Sequence, residues 1–559
     1  MMSSDANTEN KEVKDLPAVG GSGLPQGWRT DRDLLVLFGC DHANVAQGLA
    51  DQGQERIVIY IPKGQPVPTE SLFPIVRTHT MLMQHVQNMK GVPPALAHLK
   101  LMPGAAVDPV IFTSMGETLT KALKSWYVNR NTLDNFGEVW LKQVVTNMAD
   151  IAMRPTIDEL KDLFVDRPCI VVSPGPSLVK NIEQLKEVGE RAVIMTCPHA
   201  LHALDQAGIV PDIVVIGDAQ TLAWQYGDYD FSKIKALVLM ASSCPGLFEM
   251  PAQRVFTYGF NPAVDLWVYQ YVGRQGFLAS GGSVACVELS LAVQMGCPQI
   301  AFIGQDLAFE GNRYYAASVR DGESTASLSD DGNSFTLERN LPVDKYNHKG
   351  RRTIKAREQQ VMDVPGYYGD TVKTSHTLSV FLDWFSIILN SDEVLARVFN
   401  CTEGGAYIDG MIHVPLARFM QRLPKNELEG IQLRFERAML PWNKLMACTY
   451  MKQKLANIRQ DLERCEQTSK NCIRLARGAR GNDTKLTRLG KEEMRLSREL
   501  KAVPFVSLIA QREIREASEA GADPKSLEDS LIAAERLFQV VLDATRLVKE
   551  PLRVSHERL

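Results

Sequence analysis

Two short segments hold most of the side chains through which this chain could do chemistry. The first, P-C-I-V-V-S-P-G-P-S-L (Pro168–Leu178), reads as an apolar strand, a tight Gly/Pro turn and a hydroxyl at the start of a helix. The second, Ser280–Phe309, holds an S-G-G-S-V loop, a helix, an apolar strand and a carboxylate, Asp306, at that strand's end. An open α/β sheet offers such places to a phosphorylated ligand, because helix N-termini and glycine turns present free backbone N–H groups. Gly175 lacks the Cβ that would hold a phosphate off the backbone, and Pro176 fixes φ. Ser177 can cap the helix or bind a phosphate. Capping alone would explain Ser177, but the turn follows the first strand of the sheet, where ligands bind. Ser280, Gly281, Gly282 and Ser283 can form an anion-binding nest; a loop with a capping serine explains the same pattern equally well.

Other candidates lie at strand ends: Thr196, Asp218, Gly304 and Asp306. One carboxylate at such a place is commonly a turn former. Two on one rim could hold ribose hydroxyls, bind Mg²⁺ or act as a base. Neither stands in a D-x-D arrangement, so the pattern gives no indication of a metal and leaves metal dependence open. Of the histidines His199, His202 and His376, the last opens a helix after a long polar stretch and is the best placed general base; the other two read as hydrogen-bonded structural residues. Tyr314 and Tyr315 follow the Asp306 strand and could donate to a leaving phosphate, or form a surface aromatic pair.

The elements that must position these groups alternate. Strands are expected at Cys169–Val172, Ala192–Thr196, Ile213–Ile216, Ala236–Met240, Val255–Tyr258 and Gln299–Ile303. Helices are expected at Val179–Val188, Ala200–Ala207 and Val284–Met295. Alternation of this kind predicts a mostly parallel, doubly wound, Rossmann-like α/β sheet. Before it, Asp33–Ala50 and Arg56–Pro62 read as a smaller βαβ unit. Its lone Gly39 is a poor phosphate turn and favours a packing role. Residues from Glu117 to Phe164 are helix-rich. Residues 316–373 are polar and too long for an ordinary connection, hence a lid or an insertion. They contain the basic run His348–Arg357, which reads as a solvated loop. A helix is expected at Thr377–Leu389. After Leu416 the chain is helical. Met451, Leu455, Ile458, Leu462, Cys465, Ser469, Cys472 and Ala476 form a heptad seam that ends at a turn over Gly478–Asn482. Further helices are expected at Lys485–Leu500, Ser507–Ala517 and Lys525–Val548. The domains would thus be a disordered tail to residue 30, an N-terminal α/β domain (31–165), a central domain (166–415) and a C-terminal helical bundle (416–559).

The bulk of the sequence excludes several classes. At 559 residues, the chain is too long for a single core. A net charge of −4 gives no electrostatic reason to bind nucleic acid or an acidic membrane. No apolar run reaches membrane-spanning length, and the polar N-terminus is not a secretory signal. Ten scattered cysteines without zinc spacing suit a reducing cytoplasm.

Taken in order, V-V-S-P-G-P-S-L, P-D-I-V-V-I-G-D (Pro211–Asp218), S-G-G-S-V, G-Q-D-L-A and N-C-T-E-G-G-A-Y-I-D-G (Asn400–Gly410) resemble the motility accessory factor (Maf) family. These are flagellin glycosyltransferases whose central domain is shared with pterin pyrophosphokinase-like proteins. The resemblance covers most of the chain from about Asp31. It implies transfer of a pseudaminic- or legionaminic-type nonulosonic acid from its CMP donor to Ser or Thr of flagellin, in the cytoplasm before export. The central domain is also similar to bacterial sialyltransferases, which use CMP-sialic acid without a metal. In their G-N-G-P-S pattern Gly175, Pro176 and Ser177 match, while Pro174 replaces the asparagine. In their G-x-D-x-Y pattern Gly304 and Asp306 match, while Ala308 replaces the tyrosine. Tyr314, eight residues past the aspartate, matches a second family tyrosine and implies phosphate stabilisation there. His376 corresponds to the family base, with Asp306 as the alternative. Gly175, Pro176, Ser177, Thr196, Asp218, Ser280, Gly281, Gly282, Ser283 and Gly304 would then contact nucleotide or donor, and no cofactor beyond the CMP-sugar is expected. Two rivals stay open: a diphosphotransferase using ATP/Mg²⁺ on a pterin-like alcohol, and a non-catalytic flagellin-binding protein. The heptad seam could close within one chain or in a homo-oligomer.

Overall fold

The computed structural model describes residues 28–30, 33–38, 43–62, 65, 67, 71–87, 89, 97–101, 108–220, 223–260, 264–265, 267–269, 276–329, 332–342, 351–355, 358–390, 394–425, 429–438, 444–510, 513 and 526–559. Residues 1–27 of the expected N-terminal tail and Gly39 lie outside them, while Trp28, at the end of that stretch, is held in place by its Nε1, which donates to Gln54 Oε1 at 2.9 Å. The chain divides into two compact units, Met1–Asn131 with Asn390–Glu393, and Thr132–Leu389 with Val394–Leu559.

In the first unit the βαβ reading is met by β1 (Leu34–Phe38), a helix over Ala43–Asp51 and β2 (Arg56–Tyr60). Two further strands, β3 (Ile75–Val76) and β4 (Ala97–Leu101), complete a parallel sheet of order β3-β2-β1-β4. Every residue of β1 is buried, as a central strand covered on both faces requires.

The second unit is built on an eight-stranded parallel sheet. Its strands are β5 (Cys169–Val172), β6 (Val193–Thr196), β7 (Ile213–Ile216), β8 (Ala236–Met240), β9 (Val255–Tyr258) and β10 (Gln299–Ile303). The α/β class and all six expected strands are present. The sheet order places β5 between β6 and β10, with β16 (Arg397–Asn400) and β17 (Ile412–His413) beyond β10. From β5 the chain winds outward through β6, β7, β8 and β9, then returns to β10 on the other side of β5. That reversal makes the carboxyl ends of β5 and β10 the switch point, where the two connections diverge and leave a crevice.

One segment departs from expectation, and a second holds more structure than its polar sequence indicates. Val179–Val188 is not an α-helix but part of a run of 3₁₀ turns, Pro176–Lys180, Ile182–Glu187 and Gly189–Arg191. Asn181 interrupts the run with φ −137°, because its side-chain Nδ2 donates to the Cys401 carbonyl at 2.8 Å and draws the backbone toward β16. The polar stretch 316–373 holds an antiparallel sheet. It comprises β11 (Thr325–Leu328), β12 (Ser334–Pro342), β13 (Arg351–Lys355), β14 (Gln359–Pro365) and β15 (Thr371–Ser375), in the order β11-β12-β14-β15 with β13 on β12. It grips the segment after β10 through a small core of Phe309, Ala326 and Phe335, with Tyr314, Leu337 and Val361 half-buried around it. Apart from the β13 backbone, the basic run His348–Arg357 lies outside the described residues.

A helix over Pro109–Met153 covers most of the expected helix-rich region. The heptad seam lies on a helix over Lys444–Gly478, and all eight of its residues are buried. It closes within the chain, against helices Asp483–Ala502 and Leu527–Leu547 and against Leu141–Ala152. Of the helix expected at Ser507–Ala517, Ser507–Ile509 lie in a helix over Pro504–Ile509, and most of the remainder lies outside the described residues. No helix among the described residues is long and apolar enough to cross a membrane.

Candidate active site

The turn after β5 and the end of β10 meet directly. Ser177 Oγ donates to Asp306 Oδ2 at 2.8 Å, and the Ser177 backbone N–H lies 3.2 Å from both carboxylate oxygens. Both residues are buried. Gly175 N donates to the Gly304 carbonyl at 2.8 Å, which laces the two strand ends together. Glycine is required at both positions. A Cβ on Gly175 would lie 2.1 Å from Asp306 Oδ2, and one on Gly304, at φ +64°, would lie 2.2 Å from the Ser173 carbonyl. Burial pushes the Asp306 pKa up to about 7; the two donors from Ser177 act against it, Glu310 adds to the rise and Lys180 opposes it. Backbone N–H groups can only donate, so the geometry suits the carboxylate.

The connection after β16 forms the third wall. Ala406 N donates to the Asp306 carbonyl at 2.7 Å, and Gln305 N donates to Thr402 Oγ1 at 3.2 Å. Two non-glycine residues beside this contact hold left-handed backbone, Leu307 (φ 48°) and Glu403 (φ 58°). That conformation costs about 1–2 kcal/mol per residue and persists only where neighbours enforce it. At Leu307 the enforcing contact is Thr374 Oγ1, which donates to its carbonyl at 2.7 Å.

That contact also places His376. It opens the helix His376–Leu389 two residues beyond Thr374, and its side chain is exposed. Tyr314 stands on the loop that docks on the Pro174 turn, where Ala316 N donates to the Pro174 carbonyl at 2.9 Å. Its ring packs on Phe309 and Tyr315 at centroid distances of 5.6 and 4.7 Å. Thus Gly175, Pro176, Ser177, Gly304 and Asp306 form one constellation, with Tyr314 and His376 on segments packed against it.

The remaining candidates answer local needs. Thr196 Oγ1 donates to the Val172 carbonyl at 2.8 Å and ties β6 to β5. Asp218 accepts from Gln220 N at 2.8 Å, a turn former's bond. The ends of β7 and β8 are covered by the Pro109–Met153 helix: Gln143 Nε2 donates to the Ala219 carbonyl, and Asn147 Nδ2 to those of Ala241 and Ser243. Gly281 lies against Trp384 and Gly282 against Phe381, so packing accounts for both. Ser283 precedes the helix Val284–Gln294 without capping it through its side chain, and Ser280 Oγ accepts from Gly282 N at 3.3 Å. His199 Nε2 is hydrogen-bonded to Asp321, and its ring meets Tyr315 and Trp224 edge-on. His202 pairs with Gln206.

Sequence reasoning missed Lys180 and Glu310, and it noted the Asn400–Gly410 motif without giving Glu403–Gly405 a place in the site. Lys180 Nζ pairs with Glu310 at 2.9 Å and lies 3.3 Å from the Glu403 carbonyl. Burial works against the charged Lys180, but the bond to Glu310 and the nearby carboxylates leave its pKa above the ordinary lysine value. One signal was available: Lys180 follows Ser177 by three residues on the same turn. Among the described residues no group of three or more His, Cys, Asp or Glu is placed to hold a metal ion.

Comparison with known proteins gives the class of the central fold. Residues 142–312, which hold six of the eight strands of the switch-point sheet, match the family model described as "6-hydroxymethylpterin diphosphokinase MptE-like". An uncharacterised protein of Treponema pallidum is 23% identical over 124 residues, covering 22% of this chain and 58% of that protein. The 6-hydroxymethyl-7,8-dihydropterin pyrophosphokinase of Methanocaldococcus jannaschii is 30% identical over 112 residues, 18% of this chain and 46% of that one. The chain thus spans about half the length of the curated relatives it matches. Among solved structures it is similar to the Maf glycosyltransferase of Magnetospirillum magneticum AMB-1, at 15% identity and a TM-score of 0.49, over 93% of this chain and 80% of the other.

Proposed function

We propose that the chain is a glycosyltransferase that moves a nonulosonic acid of pseudaminic or legionaminic type from its CMP-activated donor to Ser or Thr of flagellin, in the cytoplasm, in support of flagellum assembly and motility. The observation that carries the reading is the Ser177–Asp306 contact. It unites the two motifs that resemble a CMP-sugar site at the switch point of a parallel sheet, where nucleotides bind.

CMP lies across the ends of β5 and β10. Asp306 is buried with both oxygens engaged by Ser177, so it holds the turn in shape and leaves the acceptor proton to another group. His376, exposed at the start of its helix, takes that proton. As it does, the acceptor oxygen bonds to the anomeric carbon, the bond from that carbon to the phosphate oxygen breaks, and CMP leaves with the electron pair. Tyr314 donates to the departing phosphate as charge develops. The β11–β15 sheet, fixed to the segment after β10 by Phe309 and Phe335, excludes water that would hydrolyse the donor.

The direct test is to incubate the protein with CMP-nonulosonic acid and flagellin and read intact flagellin mass. A sugar-sized increase that disappears in Ser177→Ala supports the reading; unchanged mass with the wild-type protein refutes it. A second reading, diphosphate transfer from ATP/Mg²⁺ to a pterin-like alcohol, is favoured specifically by the MptE-like match and the 30% identical pyrophosphokinase. ATP/Mg²⁺-dependent diphosphorylation of hydroxymethyldihydropterin would establish it.

A further inference from the structure

Side chains three apart on a 3₁₀ turn eclipse one another. On the turn Pro176–Lys180 that rule stacks Lys180 over Ser177, which is fixed to Asp306. The Lys180 ammonium has three donors. Glu310 Oε1, at 2.9 Å, and the Glu403 carbonyl, at 3.3 Å, take two of them. Beside it the bare Gly404 lets the backbone come close. A Cβ there would lie 3.0 Å from Lys180 Nζ, 3.2 Å from Ser177 Cβ and 3.6 Å from Asp306 Oδ1. A partly exposed cation and a bare backbone therefore meet on one rim above the buried Ser177–Asp306 pair. The Glu310 side chain is about half exposed (48%) and can swing into water at little cost.

We propose that this rim is an anion subsite, in which Lys180 binds the phosphate of a nucleoside monophosphate ester and Glu310 is the counter-ion that the phosphate displaces. The inference rests on reading the crevice as a CMP-sugar site and names the group that reads the phosphate there. Phosphate replaces a single exposed carboxylate as partner of the ammonium. Glu310 keeps the cation paired in the empty site and competes with the ligand, so the two side chains have opposite effects on affinity.

The experiment measures cytidine, CMP and inorganic pyrophosphate binding to the full chain by calorimetry, for wild type, Lys180→Met, Lys180→Arg and Glu310→Gln. Expected for Lys180→Met is a loss of about 10-fold or more in CMP affinity with cytidine affinity unchanged. Lys180→Arg recovers most of the loss, and Glu310→Gln binds CMP more tightly than wild type. Equal loss for cytidine and CMP would overturn the subsite, as would CMP affinity indifferent to Lys180. If wild type binds pyrophosphate in a Lys180-dependent way but not CMP, the anion subsite stands while the CMP-sugar reading fails. Lys180 is partly exposed on a short turn, and an unchanged melting temperature in Lys180→Met separates lost binding from lost fold.

Discussion

Ser177 and Asp306 are 129 residues apart in the chain, yet the serine donates to the aspartate through both its hydroxyl and its backbone N–H. The contact is buried and joins the first strand of the central sheet to the strand at which its winding reverses. Ser177→Ala removes one donor from a buried carboxylate, which costs about 1–3 kcal/mol. The expected outcome is a lower urea midpoint with an unchanged m-value, together with loss of nucleotide binding.

Gly175→Ala tests the close approach behind that contact. The added methyl would meet Asp306 Oδ2 at 2.1 Å and the Gly304 carbonyl at 2.3 Å. The carboxylate can turn aside, but the carbonyl belongs to the backbone of the switch point. A destabilisation of about 1–3 kcal/mol is expected, with binding abolished. Gly246→Ala meets nothing within 4 Å and serves as the control, with its melting temperature unchanged.

Glu288 sets a pH dependence. It is fully buried in the helix Val284–Gln294, and neither carboxylate oxygen has a hydrogen-bond partner. Burial pushes its pKa up to about 8. A carboxyl whose pKa is higher folded than unfolded stabilises the fold below its unfolded value, and that stability is lost as pH rises through the folded value. Asp306, raised to about 7 by burial, acts in the same direction. Thermal midpoints should fall between pH 5 and pH 9 (roughly the window spanning these two values), and Glu288→Gln should flatten that fall. An identical slope in the variant would show that Glu288 is not the group responsible.

Ser469 occupies a seam position in the helix Lys444–Gly478, fully buried, with its hydroxyl unpartnered. Ser469→Ala is expected to stabilise the bundle by about 1 kcal/mol, seen as a higher melting temperature with nucleotide binding unaltered.

What the sequence shows, and what it hides, follows from burial. Runs such as I-V-V-I and Q-I-A-F-I are legible because parallel strands covered on both faces are continuously apolar. The β11–β15 sheet escapes notice because β14 is mostly exposed and lacks an apolar alternation. The turns after Ser177 pass for a helix because their apolar residues recur at helical spacing; only the long-range bond from Asn181 to Cys401 shows why the helix fails. Ser177 and Asp306 stand out by residue type beside glycines. Lys180, Glu310 and Gly404 do not, because their meaning depends on three separate connections arriving at one place.

The most direct measurement compares CMP with ATP/Mg²⁺ by calorimetry on the wild-type protein and on Ser177→Ala. The account predicts CMP binding that is lost in the variant. ATP/Mg²⁺ binding without CMP would contradict it in favour of diphosphate transfer, and binding of neither would contradict it in favour of a flagellin-binding role without chemistry.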